Sequence, residues 1–181
     1  MHPMSFEEFL WATGDVVTMT LLKKAFNAGR ALGVETNRHI MRKFRLYMLI
    51  GGMRQAVSNY LENNNLKYVD QTKRDILSLY KEDFYKIDPT GKVSHLFEAI
   101  PSELNRHSSR YQVSSVFPNH RVTTLAEEFS ELIGSKTVLA SYFSTDPNTG
   151  LAAHKDNSRF RLYLSDTGLL ITSAKDRKSV V

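Results

Sequence analysis

The sequence predicts a mainly α-helical protein, in which a helical bundle is followed by a winged helix-turn-helix with a small β-ribbon. Three observations lead to this fold class. Apolar side chains recur at helical spacing through the first half of the 181 residues. Turn-forming residues cluster at positions 88–91, and two stretches of strand-forming residues follow in the second half. We therefore expect two domains, over residues 1–88 and 92–181.

Five helices are expected in the first domain. Ser5 and Glu8 form a capping box, in which a hydroxyl and a carboxylate accept hydrogen bonds from free amides, and this box opens the first helix. Gly33 is expected to end the second helix. Gly51 and Gly52 mark a sharp break between the third and fourth helices. The four helices after the first are expected over residues 15–31, 36–50, 53–61 and 68–85.

The second domain is expected to begin with three helices and to continue with two strands. Pro101 should stop the first helix, because proline lacks an amide hydrogen and its ring clashes with the preceding turn. Thr124 and Glu127 form another capping box, which should open the third helix. The helices are expected over residues 93–100, over residues 102–105 and from residue 124, and the strands over residues 137–143 and 159–164. This is the order of a winged helix-turn-helix.

The composition is that of an ordinary soluble globular protein. The chain has no cysteine, which excludes disulfides and thiolate metal ligands. Its net charge of +5 is spread over both halves, which favours a solvated surface over a nucleic-acid footprint. No apolar run approaches the roughly 20 residues of a membrane span, and the first residues lack the basic start of a signal peptide. We expect a cytoplasmic protein without a membrane partner.

Five segments occur in a defined order along about nine tenths of the chain. They read HPMSFEEFLWA from His2, FRLYMLIGGMRQAV from Phe44, RDILSLYKEDF from Arg74, HLFEAIPSELN from His95 and FRLYLSDTGLL from Phe160. In this order they resemble the region after the ATPase core in archaeal-type AAA+ ATPases whose C-terminal part is a conserved domain of unknown function. The resemblance implies that the first domain is a lid-like helical bundle.

The resemblance also implies a parent protein that uses ATP and Mg²⁺. In that family a P-loop ATPase core precedes the segment similar to HPMSFEEFLWA, and a nuclease-like domain commonly follows the segment similar to DTGLL. This sequence contains no GxxxxGK[ST] phosphate-binding loop. The chain therefore resembles an internal fragment, a lid and winged-helix coupling module that leads into a truncated C-terminal domain. We expect it to have no enzyme activity and no cofactor of its own, and to work beside an ATPase core domain or a protein partner.

Three arginines are candidates for sensing nucleotide in the intact ATPase. They are Arg42, Arg45 and Arg54. AAA+ lids often supply an arginine to the γ-phosphate, where a fixed cation stabilises developing charge. Arg42 and Arg45 are three residues apart and share a helix face, and a solvated face without a ligand is the ordinary role of such a charged face. Arg54 stands where the family usually has proline.

A stand-alone winged-helix DNA-binding protein is the alternative function. Basic residues around the predicted winged helix are candidates for contact with the DNA backbone, because Lys and Arg bind phosphates. They are Arg106, Arg110, Arg121, Arg159 and Arg161, with His107 and His120 beside them. The third helix of this domain carries Glu127, Glu128 and Glu131 on its predicted exposed side, which counts against insertion into the major groove. Packing against protein is the competing role of this surface.

The remaining polar residues are assigned to structure. Ser165, Asp166 and Thr167 combine hydroxyls with a carboxylate, but they lie between a strand and a helix, so we expect Asp166 to cap the helix. The six histidines are dispersed, without the i, i+4 spacing of a helical metal site, and no metal is expected. Trp11 is expected on an apolar surface that an ATPase core would cover.

Overall fold

The computed structural model describes residues 2–106, 108, 110–146 and 154–176. These residues form eight α-helices, two short 3₁₀-helices and one two-stranded antiparallel sheet, which confirms the mainly α fold with a small ribbon. The α-helices are α1 (Phe6–Ala12), α2 (Thr18–Asn27), α3 (Val34–Ile50), α4 (Arg54–Asn63), α5 (Leu66–Ile87), α6 (Lys92–Asn105), α7 (Ala126–Gly134) and α8 (Thr167–Asp176). The strands are β1 (Val138–Ser144) and β2 (Lys155–Leu164), and the 3₁₀-helices are Val113–Ser115 and Val122–Leu125. No helix in these ranges is long and apolar enough to cross a bilayer.

The chain packs as two compact units. The first contains the residues up to Ile76 together with Asp166–Thr172, and the second contains Leu77–Ser165 together with the residues from Ser173. The divisions after Ile76 and after Thr172 fall inside α5 and α8, whereas residues 88–91 form the turn between α5 and α6. Independent folding of residues 1–88 and 92–181 stays a prediction.

The five helices predicted before residue 88 are all present. The capping box of α1 is confirmed, because the Glu8 amide donates to the Ser5 hydroxyl at 3.3 Å and the Ser5 amide donates to the Glu8 carboxylate at 2.7 Å. The apolar side of α1 then packs on α3, with the ring centroids of Phe6 and Phe44 5.2 Å apart and those of Phe9 and Tyr47 5.4 Å apart. The helical spacing of apolar residues therefore predicted the presence of each helix in the first half.

α2 is shorter than the predicted 15–31. The Thr18 amide donates a hydrogen bond to the Asp15 carboxylate at 3.0 Å, so Asp15 caps the helix from outside and is not its first residue. At the other end Gly29 has φ +58°, a conformation in which an α-helix cannot continue. The prediction that Gly33 ends α2 is wrong, since Gly33 directly precedes α3.

Pro101 lies inside α6, so the predicted helix break is wrong. α6 continues as one helix to Asn105, and residues 102–105, predicted as a separate helix, are its last turn. A proline removes one backbone hydrogen bond. Ile100 and Pro101 are both buried, and the apolar burial of this part of α6 outweighs that loss.

The ribbon supplies one side of the core of the second unit. β1 and β2 pair antiparallel, with Tyr142 opposite Phe160 and a bulge just after Tyr142. Phe160, Leu162 and Leu164 alternate along β2 and are buried. The ring of Phe129 from α7 lies 5.0 Å from that of Phe160, centroid to centroid. The ribbon thus packs against α7.

The predicted capping box of Thr124 and Glu127 is wrong. Thr124 lies within a 3₁₀-helix, where its hydroxyl accepts a hydrogen bond from the Arg121 amide at 3.1 Å. α7 begins only at Ala126. The Thr124 hydroxyl is therefore engaged within the tighter 3₁₀ turn, before α7 begins.

Candidate functional sites: an aspartate cluster and two arginine surfaces

A buried cluster joins the segments FRLYMLIGGMRQAV and FRLYLSDTGLL, and we call it the aspartate cluster. Asp166 at its centre is 2% exposed. One carboxylate oxygen accepts a hydrogen bond from the Gly52 amide at 2.5 Å, and the other accepts one from the Leu169 amide at 2.8 Å. The bond to Leu169 caps α8, so the predicted capping role of Asp166 is confirmed. The bond to Gly52 shows that the same carboxylate also holds the glycine turn after α3.

Gly51 and Gly52 pass too close to other groups to carry side chains. Gly51 has φ +86°, and a Cβ atom on it would overlap the Asp166 carboxylate. A Cβ atom on Gly52 would overlap the Met4 carbonyl oxygen and lie 2.7 Å from the Met4 nitrogen. The Met4 amide donates to the Gly52 carbonyl at 2.7 Å. The glycine pair is therefore required by the packing of Asp166 and the N-terminal segment around it.

Lys73 brings a positive charge to the aspartate cluster. It is 3% exposed, and its ammonium donates a hydrogen bond to the Leu49 carbonyl at 2.9 Å, in the last turn of α3. A cation at this end of a helix complements the helix dipole. Asp70, one turn earlier on α5, accepts a hydrogen bond from the Thr172 hydroxyl at 3.0 Å. Polar contacts thus join α3, the first part of α5 and the first part of α8.

Burial raises the pKa of Asp166 above its ordinary value of 3.8. The hydrogen bonds from Gly52 and Leu169 and the charge of Lys73 oppose this rise. When the folded-state pKa is raised, ionisation of the carboxyl costs folded-state stability as the pH rises above 3.8. Both oxygens are occupied by backbone amides of the fold, so the arrangement is that of a structural cap.

Arg42 and Arg45 lie on one exposed face of α3. Together with Arg38 they line a surface depression, and we call these three residues the α3 arginine face. Arg38 is paired with Glu35 at 2.9 Å. Among the described residues, neither Arg42 nor Arg45 has an ion-pair partner. Their charges are therefore available to a ligand or a protein partner.

Contacts on either side of these two arginines hold α3 in place. Lys43 forms an ion pair with Asp15, and this contact keeps the pKa of Asp15 well below its ordinary value. One turn later the Tyr47 hydroxyl donates to the Met4 carbonyl at 2.8 Å. The aspartate cluster fixes the end of the helix. The α3 arginine face is thus presented by an anchored helix.

Arg54 is the first residue of α4 and is exposed. The first helical position tolerates proline because its amide has no partner within the helix. This explains how arginine can stand where the resembled family usually has proline. The pKa of Glu8 is lowered mainly by hydrogen bonds from Ser5 and to a smaller extent by the charge of Arg54. Arg54 is not part of the α3 arginine face, and its role in nucleotide sensing stays a prediction.

Three of the five arginines predicted to contact DNA are engaged within the fold. Arg106 pairs with the buried Glu103 at 3.3 Å. Arg159 lies over the ring of Phe143, with 4.3 Å between Cζ and the ring centroid. Arg161 donates a hydrogen bond to a backbone carbonyl in the loop after α6. These side chains have less freedom to bind a phosphate than an exposed arginine without a partner.

The other two, Arg110 and Arg121, line a single cleft together with His120, and we call it the arginine cleft. Its volume is about 500 Å³. The other polar side chains that line it belong to Gln112, Ser114, Thr123 and Ser158. No carboxylate is among its described lining residues. His107, which the sequence groups with these arginines, lies outside the described residues.

The acidic residues of α7 are only partly exposed. Glu127 and Glu131 face solvent as predicted. Glu128 accepts a hydrogen bond from Lys92 at 3.1 Å, and its side chain is only 16% exposed, so its predicted exposure is wrong. The ion pair with Lys92 holds the Glu128 carboxylate against α6.

Sequence reasoning missed the polar partners of the aspartate cluster. Asp70 and Lys73 are three residues apart on α5, which is a visible helical spacing. Nothing in that spacing indicates that Thr172, about a hundred residues later, meets Asp70. Asp15, three residues ahead of Thr18, is a capping signal that could have placed the start of α2.

Comparison with known proteins places the chain in one family. A domain of unknown function, DUF8612, matches residues 41–179. No curated protein and no solved structure matches. Because the family match covers more than half of the sequence, the chain belongs to the DUF8612 family. The matched range includes Arg42, Arg45, both glycines of the turn and Asp166, but nothing in it links the chain to AAA+ ATPases.

Proposed function

We propose that this DUF8612 protein is a non-catalytic coupling module, the lid-like bundle and winged helix of an AAA+ family ATPase, which works beside a P-loop core domain. The α3 arginine face is the observation that carries the proposal. Arg42 and Arg45 are exposed and, within the described residues, have no ion-pair partner. The resemblance of the five ordered segments implies the ATPase. Arg42 and Arg45 are the groups that would contact its nucleotide.

An arginine that senses a phosphate acts best when it is already in position. α3 is held by the Lys43–Asp15 ion pair, by the Tyr47–Met4 hydrogen bond and by the aspartate cluster at its end. A shift of α3 toward the γ-phosphate would therefore move the glycine turn, and through Asp166 it would reach the start of α8. This chain of contacts is the route by which nucleotide state would be relayed.

An exposed apolar surface on α1 and α2 supports a protein partner. Trp11 is 53% exposed, Leu21 42% and Phe26 85%. Large apolar side chains left exposed on neighbouring elements can mark a surface that another protein covers, and tryptophan is enriched at the centres of such interfaces. We assign this surface to the ATPase core domain, as the resemblance implies for Trp11.

The order of elements in the second unit supports the winged helix. α6, the 3₁₀-helix Val113–Ser115 and α7 are followed by the ribbon of β1 and β2. The amide of Tyr111 donates to the carbonyl of Phe160 at 2.8 Å, so the segment before the short helix runs beside β2. The short second helix of the motif is then the 3₁₀-helix and not residues 102–105. In the coupling module this winged helix packs against protein.

A stand-alone winged-helix DNA-binding protein is the second candidate, and the arginine cleft is the observation that favours it. Arg110 and Arg121 are exposed, and they line one cleft. Glu127 and Glu131 lie exposed on α7, the helix in the position of a recognition helix, and they would repel the phosphates of a groove. Because of this repulsion, we rank the DNA-binding function second.

Duplex DNA binding separates the two candidates. We expect weak binding without sequence preference that is lost at about 150 mM salt, because few arginines can release counterions. Replacing Arg106, Arg110 and Arg121 with alanine should reduce the residual affinity equally for all sequences. A matched variant with alanine at Lys24, Arg30 and Lys67 removes the same charge elsewhere. Fluorescence anisotropy with a labelled duplex and a scrambled competitor measures this, and a preference of about a hundredfold for one duplex would put the DNA reader first.

A further inference from the structure

The arginine cleft has the composition of a phosphate-binding site. Arg110 and Arg121 are exposed, and no ion pair engages either of them within the described chain. The Nδ1 atom of His120 lies 3.2 Å from the Pro118 carbonyl, which can only accept a hydrogen bond, so this contact orients the imidazole. No carboxylate is among the described lining residues, and the two carboxylates bonded to that lining, Glu103 and Asp156, accept hydrogen bonds from Gln112 and Ser158 and form no ion pair with Arg110 or Arg121. An anion is the ligand that such a cleft favours.

The floor of the cleft is formed by buried residues. Tyr111 and Val113 line it and are each 4% exposed. The Tyr111 hydroxyl donates to the Leu96 carbonyl at 2.9 Å, and its ring packs edge to face on Phe129 with 5.6 Å between centroids. Arg110 is the neighbour of this fixed residue. The backbone that carries Arg110 is therefore held by the core of the second unit.

We propose that the arginine cleft binds the phosphate group of a small ligand of about mononucleotide size. Arg110 and Arg121 are the two cations that hold the phosphate, because guanidinium groups make paired, charge-assisted hydrogen bonds to phosphate oxygens. The volume of about 500 Å³ lies within the range of small-molecule pockets. The site is separate from the α3 arginine face and does not depend on the proposed ATPase role.

A small phosphorylated ligand fits this surface better than a nucleic-acid strand does. A strand needs a row of free cations that follows successive phosphates. Arg106 and Arg161 near the cleft are already engaged within the fold. The exposed Glu127 and Glu131 on α7 follow Arg121 closely in the chain and disfavour a continued polyanion. Of the five arginines considered for DNA contact, only Arg110 and Arg121 are thus free to bind a phosphate at this cleft.

Calorimetric titration with AMP and with adenosine tests the proposal at about 150 mM salt, near physiological ionic strength. AMP should bind and adenosine should not, because only AMP carries the phosphate. The Arg110→Gln/Arg121→Gln variant should bind AMP about a hundredfold more weakly, since losing each charge-assisted bond costs roughly tenfold. The matched Lys24→Gln/Arg30→Gln variant removes two charges from the first unit and should bind as the wild type does. Thermal melting of each variant checks that the fold is intact.

Several results would overturn the phosphate site. One is the absence of AMP binding at millimolar concentration, and another is equal binding of AMP and adenosine. An equal loss of affinity in the two double variants would also overturn it. A single-stranded oligonucleotide that binds about a hundredfold more tightly than AMP through the same two arginines would show a nucleic-acid track instead.

Discussion

Replacing Asp166 with alanine should lower the free energy of unfolding by about 3 to 5 kcal/mol, the range for breaking a buried charged and hydrogen-bonded group. The substitution removes the acceptor for the Gly52 and Leu169 amides and leaves both without their observed partner. It also removes a negative charge that interacts electrostatically with the buried Lys73, although Asp70 remains 3.9 Å from the Lys73 ammonium. Urea denaturation of the two proteins at neutral pH, followed by circular dichroism, measures the difference.

Asp88→Ala is the matched control for Asp166→Ala. Asp88 also caps a helix, since its carboxylate accepts hydrogen bonds from the Thr90 amide at 2.9 Å and the Val93 amide at 3.0 Å. It is half-buried, and the partners Thr90 and Val93 lie within five residues of it in the chain. Loss of such a cap costs about 1 kcal/mol. If the two variants lost the same stability, Asp166 would be an ordinary helix cap and not the centre of a buried cluster.

Replacing Gly52 with alanine should destabilise the protein by about 3 kcal/mol, the upper end of the cost of forcing extra volume into a packed site. The new Cβ atom would overlap the backbone of Met4, which cannot rotate away as a side chain can. Relief of the clash would break the hydrogen bond from the Met4 amide to the Gly52 carbonyl and move the N-terminal segment. The same denaturation measurement applies.

Gly33→Ala is the control for this substitution. A Cβ atom on Gly33 would have no described heavy atom within 4 Å outside its own chain neighbours, and Gly33 has a negative φ. Alanine at this position should therefore change the free energy of unfolding by less than about 1 kcal/mol. Equal stability of the Gly52→Ala variant and the wild type would contradict the close packing of the glycine turn against Met4.

Local sequence signals predicted the elements whose ends are set locally. The capping box of Ser5 and Glu8, the five helices of the first half and the ribbon all depend on residues close together in the chain, and all were found. Pro101 shows where such signals fail. Its effect on α6 depends on the burial of its neighbours, which no local pattern reveals. The end of α2 is a second example. Either Gly29 or Gly33 could end this helix, and no local pattern indicates that it ends at Gly29.

The candidate sites were predictable only in part for a similar reason. Asp166 could be recognised as a helix cap because it stands between a strand and a helix. Its second bond, to Gly52, crosses more than a hundred residues of chain and has no sequence signature. The arginines of the second half were found by composition. Which of them lie free in one cleft depends on partners such as Glu103 and Phe143, which only the fold brings near.

ATP turnover by a P-loop core of the archaeal-type AAA+ family that the chain resembles tests the proposed coupling role most directly. An arginine positioned on a γ-phosphate is worth about 10³-fold or more in turnover. We predict that the core with this chain hydrolyses ATP at least about a hundredfold faster than the core with the Arg42→Gln/Arg45→Gln variant. A Lys67→Gln/Lys86→Gln variant, which removes two exposed charges from α5, should behave as the wild type does, and the chain alone should hydrolyse no ATP. Equal turnover with the wild type and the Arg42→Gln/Arg45→Gln variant, or hydrolysis by the chain alone, would contradict the proposal.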